Sequence, residues 1–201
     1  PKFYMHKSLV EPLHEIMKIW GKIEDHVYKY EFIGVEPGQD IEIKPRIFAR
    51  AFKTVHRVPS YGYSVFRSVK KLKPELEGKT QNEIVDLRRK GIDPNEESEE
   101  CLVSFTGDTQ IEFLDLNPQL LNSKILILET TYLDQKKSIA SAREWGHTHL
   151  DELIPRLSSI KSEKIVLIHT SSRYSFKDAQ AIVAKCIPEE HRHRVELFPG
   201  R

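Results

Sequence analysis

Apolar side chains recur at Leu9, Val10, Leu13, Ile16, Met17 and Trp20, the spacing of one helical face, and Gly21 follows as a stop. Beyond it the period shortens. Residues 28–32 and 41–43 predict strands on either side of the turn signal Glu36-Pro37-Gly38-Gln39. Residues 47–52 predict another strand, with 61–66 as its hairpin partner. Four further apolar runs, 102–105, 125–128, 165–168 and 195–198, predict strands, and 138–145, 150–157 and 176–186 predict helices between them. The charged stretch from Arg67 to Glu100 carries neither period. Strands alternating with helices, and polar residues placed just past strand ends, predict an α/β layered fold.

Composition narrows the class. A chain of 201 residues, 39% hydrophobic and 30% charged, is long enough for one domain with a real core and is not disordered. A net charge of +1 excludes the global basic field of a general nucleic-acid binder, so any RNA contact must be local. No apolar run approaches the ~20 residues of a membrane span, and no signal peptide is visible. Cys101 and Cys186 lack metal or redox spacing; Cys101, opening a predicted buried strand, reads as a small core residue, and a reducing, intracellular compartment is the simplest inference. The chain starts on Pro1, which suggests that it begins midway through a longer protein.

Three segments carry candidate chemistry: Gly107-Asp108-Thr109, Gly146-His147-Thr148-His149, and the run from His169 to Tyr174. The first and last each follow an apolar run. His147 lies 22 residues before His169, about one helix plus one strand, so both imidazoles can reach one sheet edge. A carboxylate and neutral imidazoles at such positions suit zinc. Each residue also has a plainer reading. Asp108 can cap a turn, His56 and His169 can bond backbone or sit satisfied in a core, and Glu129 can be an exposed strand-end charge.

Asp108 in FTGDT, Glu129 in LETTYLD, His147 in AREWGHTH and His169 in LIHTSSRY resemble the later motifs of the metallo-β-lactamase superfamily. More closely they resemble the short form of ribonuclease Z, the zinc endonucleases that mature the 3′ end of transfer RNA. The segment from Phe52 to Tyr63, a histidine followed shortly by Gly-Tyr, resembles that family's third metal motif, and the likeness runs from about residue 40 to the end.

The resemblance implies an αββα metallo-β-lactamase sandwich, a single domain over 1–201 lacking its N-terminal portion. The family's main metal motif, HxHxDH, does not occur before His56, where His6, His14 and His26 stand isolated. The near match from His147 to Glu152 comes after GDT and ends in Glu, so it does not replace it. On this resemblance His56, Asp108 and His169 would hold part of a two-zinc site, and His147, oriented by Glu129, would protonate the leaving oxygen. Arg173 and Ser171 would hold phosphate, with Tyr174 adding a contact or packing the turn; His149 has no assigned role.

Residues 67–100 fall where the family inserts an RNA-gripping arm. Lys70, Lys71, Lys73, Lys79, Arg88 and Arg89 would there neutralise phosphates of precursor tRNA; an ordinary solvated charge run is the other reading. A homodimer is implied. The cluster His191-Arg192-His193-Arg194 reads as a solvated loop. Two other functions remain: a phosphodiesterase of the same fold acting on small substrates, and a non-catalytic half that needs a partner. The isolated chain is expected to be inactive without the missing HxHxDH segment.

Overall fold

The chain opens with a short strand, β1 (Lys2–His6), runs directly into helix α1 (Lys7–Glu24) and returns as β2 (Glu31–Val35), parallel to β1. These coordinates are a computed structural model that describes residues 1–198. A meander follows: β3 (Asp40–Lys44), β4 (Ile47–Lys53), β5 (Tyr61–Leu72) and β6 (Asn95–Phe105), each antiparallel to the one before. The chain then changes habit. Strands β7 (Ile125–Glu129), β8 (Lys164–Ile168) and β9 (Val195–Leu197) add in order, parallel to β6, completing a seven-stranded sheet.

Helices fill the connections: α2 (Gln81–Arg89) between β5 and β6, α3 (Phe113–Leu116) after β6, α4 (Ile139–Glu144) and α5 (Leu150–Leu153) before β8, then α6 (Phe176–Cys186) and α7 (Glu189–Arg192) before β9. The expected helix over 150–157 stops early. Pro155 has no N–H to continue it, and Ile154–Arg156 tightens to a 3₁₀ turn. The strand expected at 28–32 lies three residues later, at the register set by its pairing with β1.

One face of the sheet is a closed core. Phe52, Leu126, Leu128, Ile165, Leu167 and Val195 meet Phe113 and Leu114 of α3, Leu150 and Leu153 of α5, and Ala179 and Val183 of α6. Each fully buried leucine is worth about 1.5–3 kcal/mol. The opposite face is half covered. Over β3–β5 the small sheet lays Tyr4, Ile33 and Val35 on Ile41, Ala51 and Tyr63. Over β6–β8 nothing described covers it, and Phe105 and Ile125 are 46% and 37% exposed. Parallel strands are normally buried on both faces. Helix α1 is likewise uncovered, with Ile16, Ile19, Trp20 and Ile23 of its apolar stripe exposed.

The charged stretch is not a loop. β5 and β6 continue past their neighbours as a two-stranded projection, paired to Leu72↔Asn95 and bridged by α2 at its tip, where Thr80 and Glu83 form a capping box. Much of its basic charge is matched locally: Arg67 meets Glu100, Lys70 meets Asp93, Lys79 meets Glu83 and Arg89 meets Asp86. Lys71, Lys73 and Arg88 have no ion pair among the described residues. The C-terminal basic cluster is structural rather than a solvated loop. The Arg194 guanidinium, its pKa lowered by burial, donates to the carbonyls of Leu157, Ile160 and Ser162.

Candidate active site

Four loops meet at the carboxyl ends of β6, β7 and β8. Gly107 (φ 62°) turns the chain so that Asp108 leaves the end of β6, and Gly146 (φ 81°) does the same just before His147. Gly146 has a second reason to be glycine: an added Cβ would sit 2.4 Å from His56 Nδ1. His169 itself takes the left-handed conformation (φ 58°) directly after β8. One ligand atom from each of Asp108, His147 and His169 falls within 4.8 Å of the others. His56 stands beside this group, its ring centroid 5.4 Å from that of His147, without belonging to it. The structure thus gathers two of the three expected metal ligands together with the expected proton donor, and leaves the third ligand adjacent.

Glu129 ties the loops together. Its side chain is fully buried, and five donors converge on it. Oε1 accepts from Thr109 N (3.0 Å), His147 Nδ1 (2.9 Å) and Thr148 N (3.2 Å). Oε2 accepts from Thr131 N (3.1 Å) and Thr131 Oγ1 (2.9 Å). So many donors suit an ionised carboxylate, which only accepts. Thr148 Oγ1 adds a strut by donating to Thr109 O (2.7 Å).

These bonds also set the proton on each ring. The Thr131 hydroxyl spends its hydrogen on Glu129, so at 2.9 Å it can only accept from His169 Nδ1. His169 Nε2, 3.5 Å from Asp108 Oδ2, is then the bare nitrogen. In the same way His56 donates Nδ1–H to Gly146 O (3.0 Å) and keeps Nε2 bare. His147 donates Nδ1–H to Glu129, leaving Nε2 to act within the cluster. The bond to Glu129 raises the His147 pKa above its ordinary 6.5, burial opposes this, and the charges of Glu129 and Asp108 add to it. Asp108 with the bare Nε2 atoms of His169 and the adjacent His56, each ring anchored through its Nδ1, forms a donor set that fits a divalent metal such as zinc, with His147 beside it as the proton carrier.

No family model matches the chain. It is 31% identical over 190 residues to tRNase Z TRZ1 of Arabidopsis thaliana, across 94% of this chain and 68% of that one. The chain belongs to the tRNase Z family. Chloroplastic tRNase Z TRZ2 of the same plant is 32% identical over 190 residues, although the chain spans only 53% of its length. Among solved structures, the human tRNase Z short form, ELAC1, aligns with 98% of this chain and 64% of its own at a TM-score of 0.54 and 15% identity. Zn²⁺-bound PqqB from Methylobacterium extorquens aligns at 0.62 and 11% identity, across 98% of this chain and 62% of its own. A third, the metallo-β-lactamase fold protein YhfI from Bacillus subtilis, aligns at 0.56 and 16% identity over the same share of this chain. The fold is therefore the metallo-β-lactamase fold.

The other site residues of this tRNase Z family member divide clearly. Arg173 is exposed in the turn after His169, its backbone N–H donating to Ser171 Oγ (3.5 Å). Tyr174 packs the turn instead, donating to Asp134 Oδ1 (2.9 Å). His149 is buried: Nδ1 accepts from Asp151 N, and Nε2 faces the carbonyls of Asp134 and Lys137. With both nitrogens occupied, it pins a loop, and the near match to HxHxDH is a helix cap. Thr109, Thr131 and Thr148 are the residues that sequence reasoning passed over. The one signal was a threonine within two residues of each chemical side chain.

Proposed function

We propose that this chain carries the proton-donating side and part of the metal site of a zinc-dependent endoribonuclease that removes the 3′ trailer from precursor tRNA. The observation that carries the reading is the joining of Asp108, His147 and His169 through buried Glu129. Zinc, when bound, supplies Lewis acidity, easing deprotonation of water and offsetting charge on the phosphoryl oxygens. The chain's own residues do the rest. His147, oriented by Glu129, whose hydrogen bond raises its pKa, delivers Nε2–H to the departing 3′ oxygen, so the tRNA body leaves with a 3′ hydroxyl and the trailer keeps a 5′ phosphate. His56 adds a bare nitrogen beside the cluster. Arg173 offers a planar fork, and Ser171 a hydroxyl, to the phosphate.

The bare sheet face over β6–β8 supports the view that a further segment, carrying HxHxDH, completes both the sandwich and the metal site. Two free cysteines fit a reducing intracellular setting, and no helix of the described residues is long and apolar enough to cross a membrane. The projection over 67–100 would grip tRNA through Lys71, Lys73 and Arg88, in a homodimer. Its matched charges favour, as a second reading, a small-substrate phosphodiesterase.

The test is cleavage of a trailer-bearing precursor tRNA by the zinc-loaded full-length protein, with both product ends mapped. A 3′-hydroxyl tRNA and its loss in His147→Ala are expected. Hydrolysis of a nitrophenyl phosphodiester with precursor tRNA left intact would overturn the RNA substrate.

A further inference from the structure

Beside the cluster stands a pair that no step above uses. Trp145 caps the C-terminus of α4, 51% of its surface exposed, and the Arg57 guanidinium lies over its ring, 4.8 Å from the centroid. A large exposed indole on a soluble domain invites a reason, and its position supplies one. Arg57 directly follows His56, and Trp145 directly precedes Gly146 and His147. The two backbone segments are locked by the bond from His56 Nδ1 to Gly146 O. Consecutive Cα atoms are ~3.8 Å apart, so the Trp145 and His147 Cα atoms are at most ~8 Å apart, within the reach of one nucleotide. The indole carries no charge and Arg57 carries one, so the pair offers both a π face and a cation at the rim of the site.

We propose that Trp145, braced by Arg57, is a stacking platform for an unpaired nucleobase flanking the phosphate to be cut. The inference rests on the RNA-cleavage reading of the same site and adds how the strand is held there. Single-stranded RNA is recognised by splaying bases onto aromatic rings and guanidinium planes, whatever the base. The platform therefore orients the strand without choosing a sequence. It would also let a chain of net charge +1 hold RNA at the cut site without a broad basic surface. A surface clamp between two loops is the competing account, and it makes no demand on RNA.

Trp20 and Trp145 are the only tryptophans, so Trp20→Phe leaves Trp145 as a private reporter. The zinc-free protein is titrated with octauridine and, separately, with a blunt RNA hairpin, following Trp145 emission while filter binding of radiolabelled RNA tracks occupancy. Octauridine should quench Trp145 in step with occupancy, and the blunt hairpin should not. Trp145→Ala should weaken octauridine binding roughly 5- to 150-fold, Trp145→Phe far less. A clamp role would lower the melting temperature of Trp145→Ala without changing affinity among folded molecules. Octauridine bound with unchanged emission, or bound equally by the Ala and Phe variants, overturns the platform and leaves the nuclease reading standing. No binding of either RNA overturns both.

Discussion

Glu129→Gln keeps the volume and burial of the side chain and alters only what its two terminal atoms can accept. The best orientation puts the amide oxygen where Oε1 was, keeping Thr109 N, His147 Nδ1 and Thr148 N. The amide nitrogen then faces Thr131. The Thr131 N–H retains Thr148 O as an acceptor at 3.1 Å, and the hydroxyl can rotate to accept one amide hydrogen. The second amide hydrogen meets only donors. A buried orphan costs about 1–3 kcal/mol, and the three retained bonds lose a charged acceptor, worth about 1 kcal/mol each. Relief from burying a charge offsets part of this, so a net loss of about 2–4 kcal/mol is expected.

The rotation has a consequence at the metal. A Thr131 hydroxyl that accepts from Gln donates to His169 Nδ1, which forces the His169 proton onto Nε2, the nitrogen facing Asp108. The lone pair a metal needs is then gone, although no ligand has been touched. A loss of ~10–100-fold in zinc affinity follows. Urea unfolding reads the first effect, and competition against a chromophoric chelator reads the second. Thr131→Val, which removes the hydroxyl and leaves Glu129 charged, should cost less stability and still loosen zinc. Folded Glu129→Gln protein that binds zinc like the parent would refute the tautomer argument; an unchanged urea midpoint would refute the hub.

Gly146→Ala places a methyl 2.4 Å from His56 Nδ1 at φ +81°, so a destabilisation larger than the ~1–2 kcal/mol left-handed cost alone is expected, read as a lowered melting temperature in thermal unfolding. His147 has a folded pKa raised above 6.5, so its contribution to stability is complete below that pH and is lost as pH rises through the raised value. Urea midpoints of the metal-free chain should fall across that window, and Glu129→Gln should flatten the profile. Phe105→Ala should change the stability of this chain by under ~0.5 kcal/mol. In a longer protein whose sheet face is covered it should cost about 3 kcal/mol, and paired denaturation curves decide.

The strands that deliver the chemistry were legible because each is a four-residue apolar run closed by a turn. β7 and β8 match the expected spans to within a residue or so, and α6 matches its span. What stayed hidden depends on partners far along the chain. β1 is five residues with no strong period, and it exists because β2 pairs with it. The extensions of β5 and β6 have no core side, so alternation is replaced by charges facing across the ladder, Lys70 opposite Glu97 and Lys71 opposite Glu96. That complementarity has meaning only once the register is known. Glu129 was recognised as a partner of His147, but its four other bonds come from three threonines that look like turn residues. His149 acts through carbonyls 12 and 15 residues away, which no local pattern reveals.

The bare sheet face and the candidate site are one region. Along β7 the side chains of Ile125, Ile127 and Glu129 share a face, and the register sets them beside Phe105 and Val103 of β6 and Val166 and Ile168 of β8. Glu129 therefore lies on the uncovered side. It is sealed only because the loops bearing Asp108, Thr131 and His147 fold over the strand ends and spend their donors on it. The apolar residues farther down the strand have no such loops and remain exposed. Any segment that covers them must run up against those same loops, at the open side of Asp108, His147 and His169. On the proposed reading, covering the sheet and completing the metal site would therefore be geometrically a single event, and a variant that blocks the first should abolish the second.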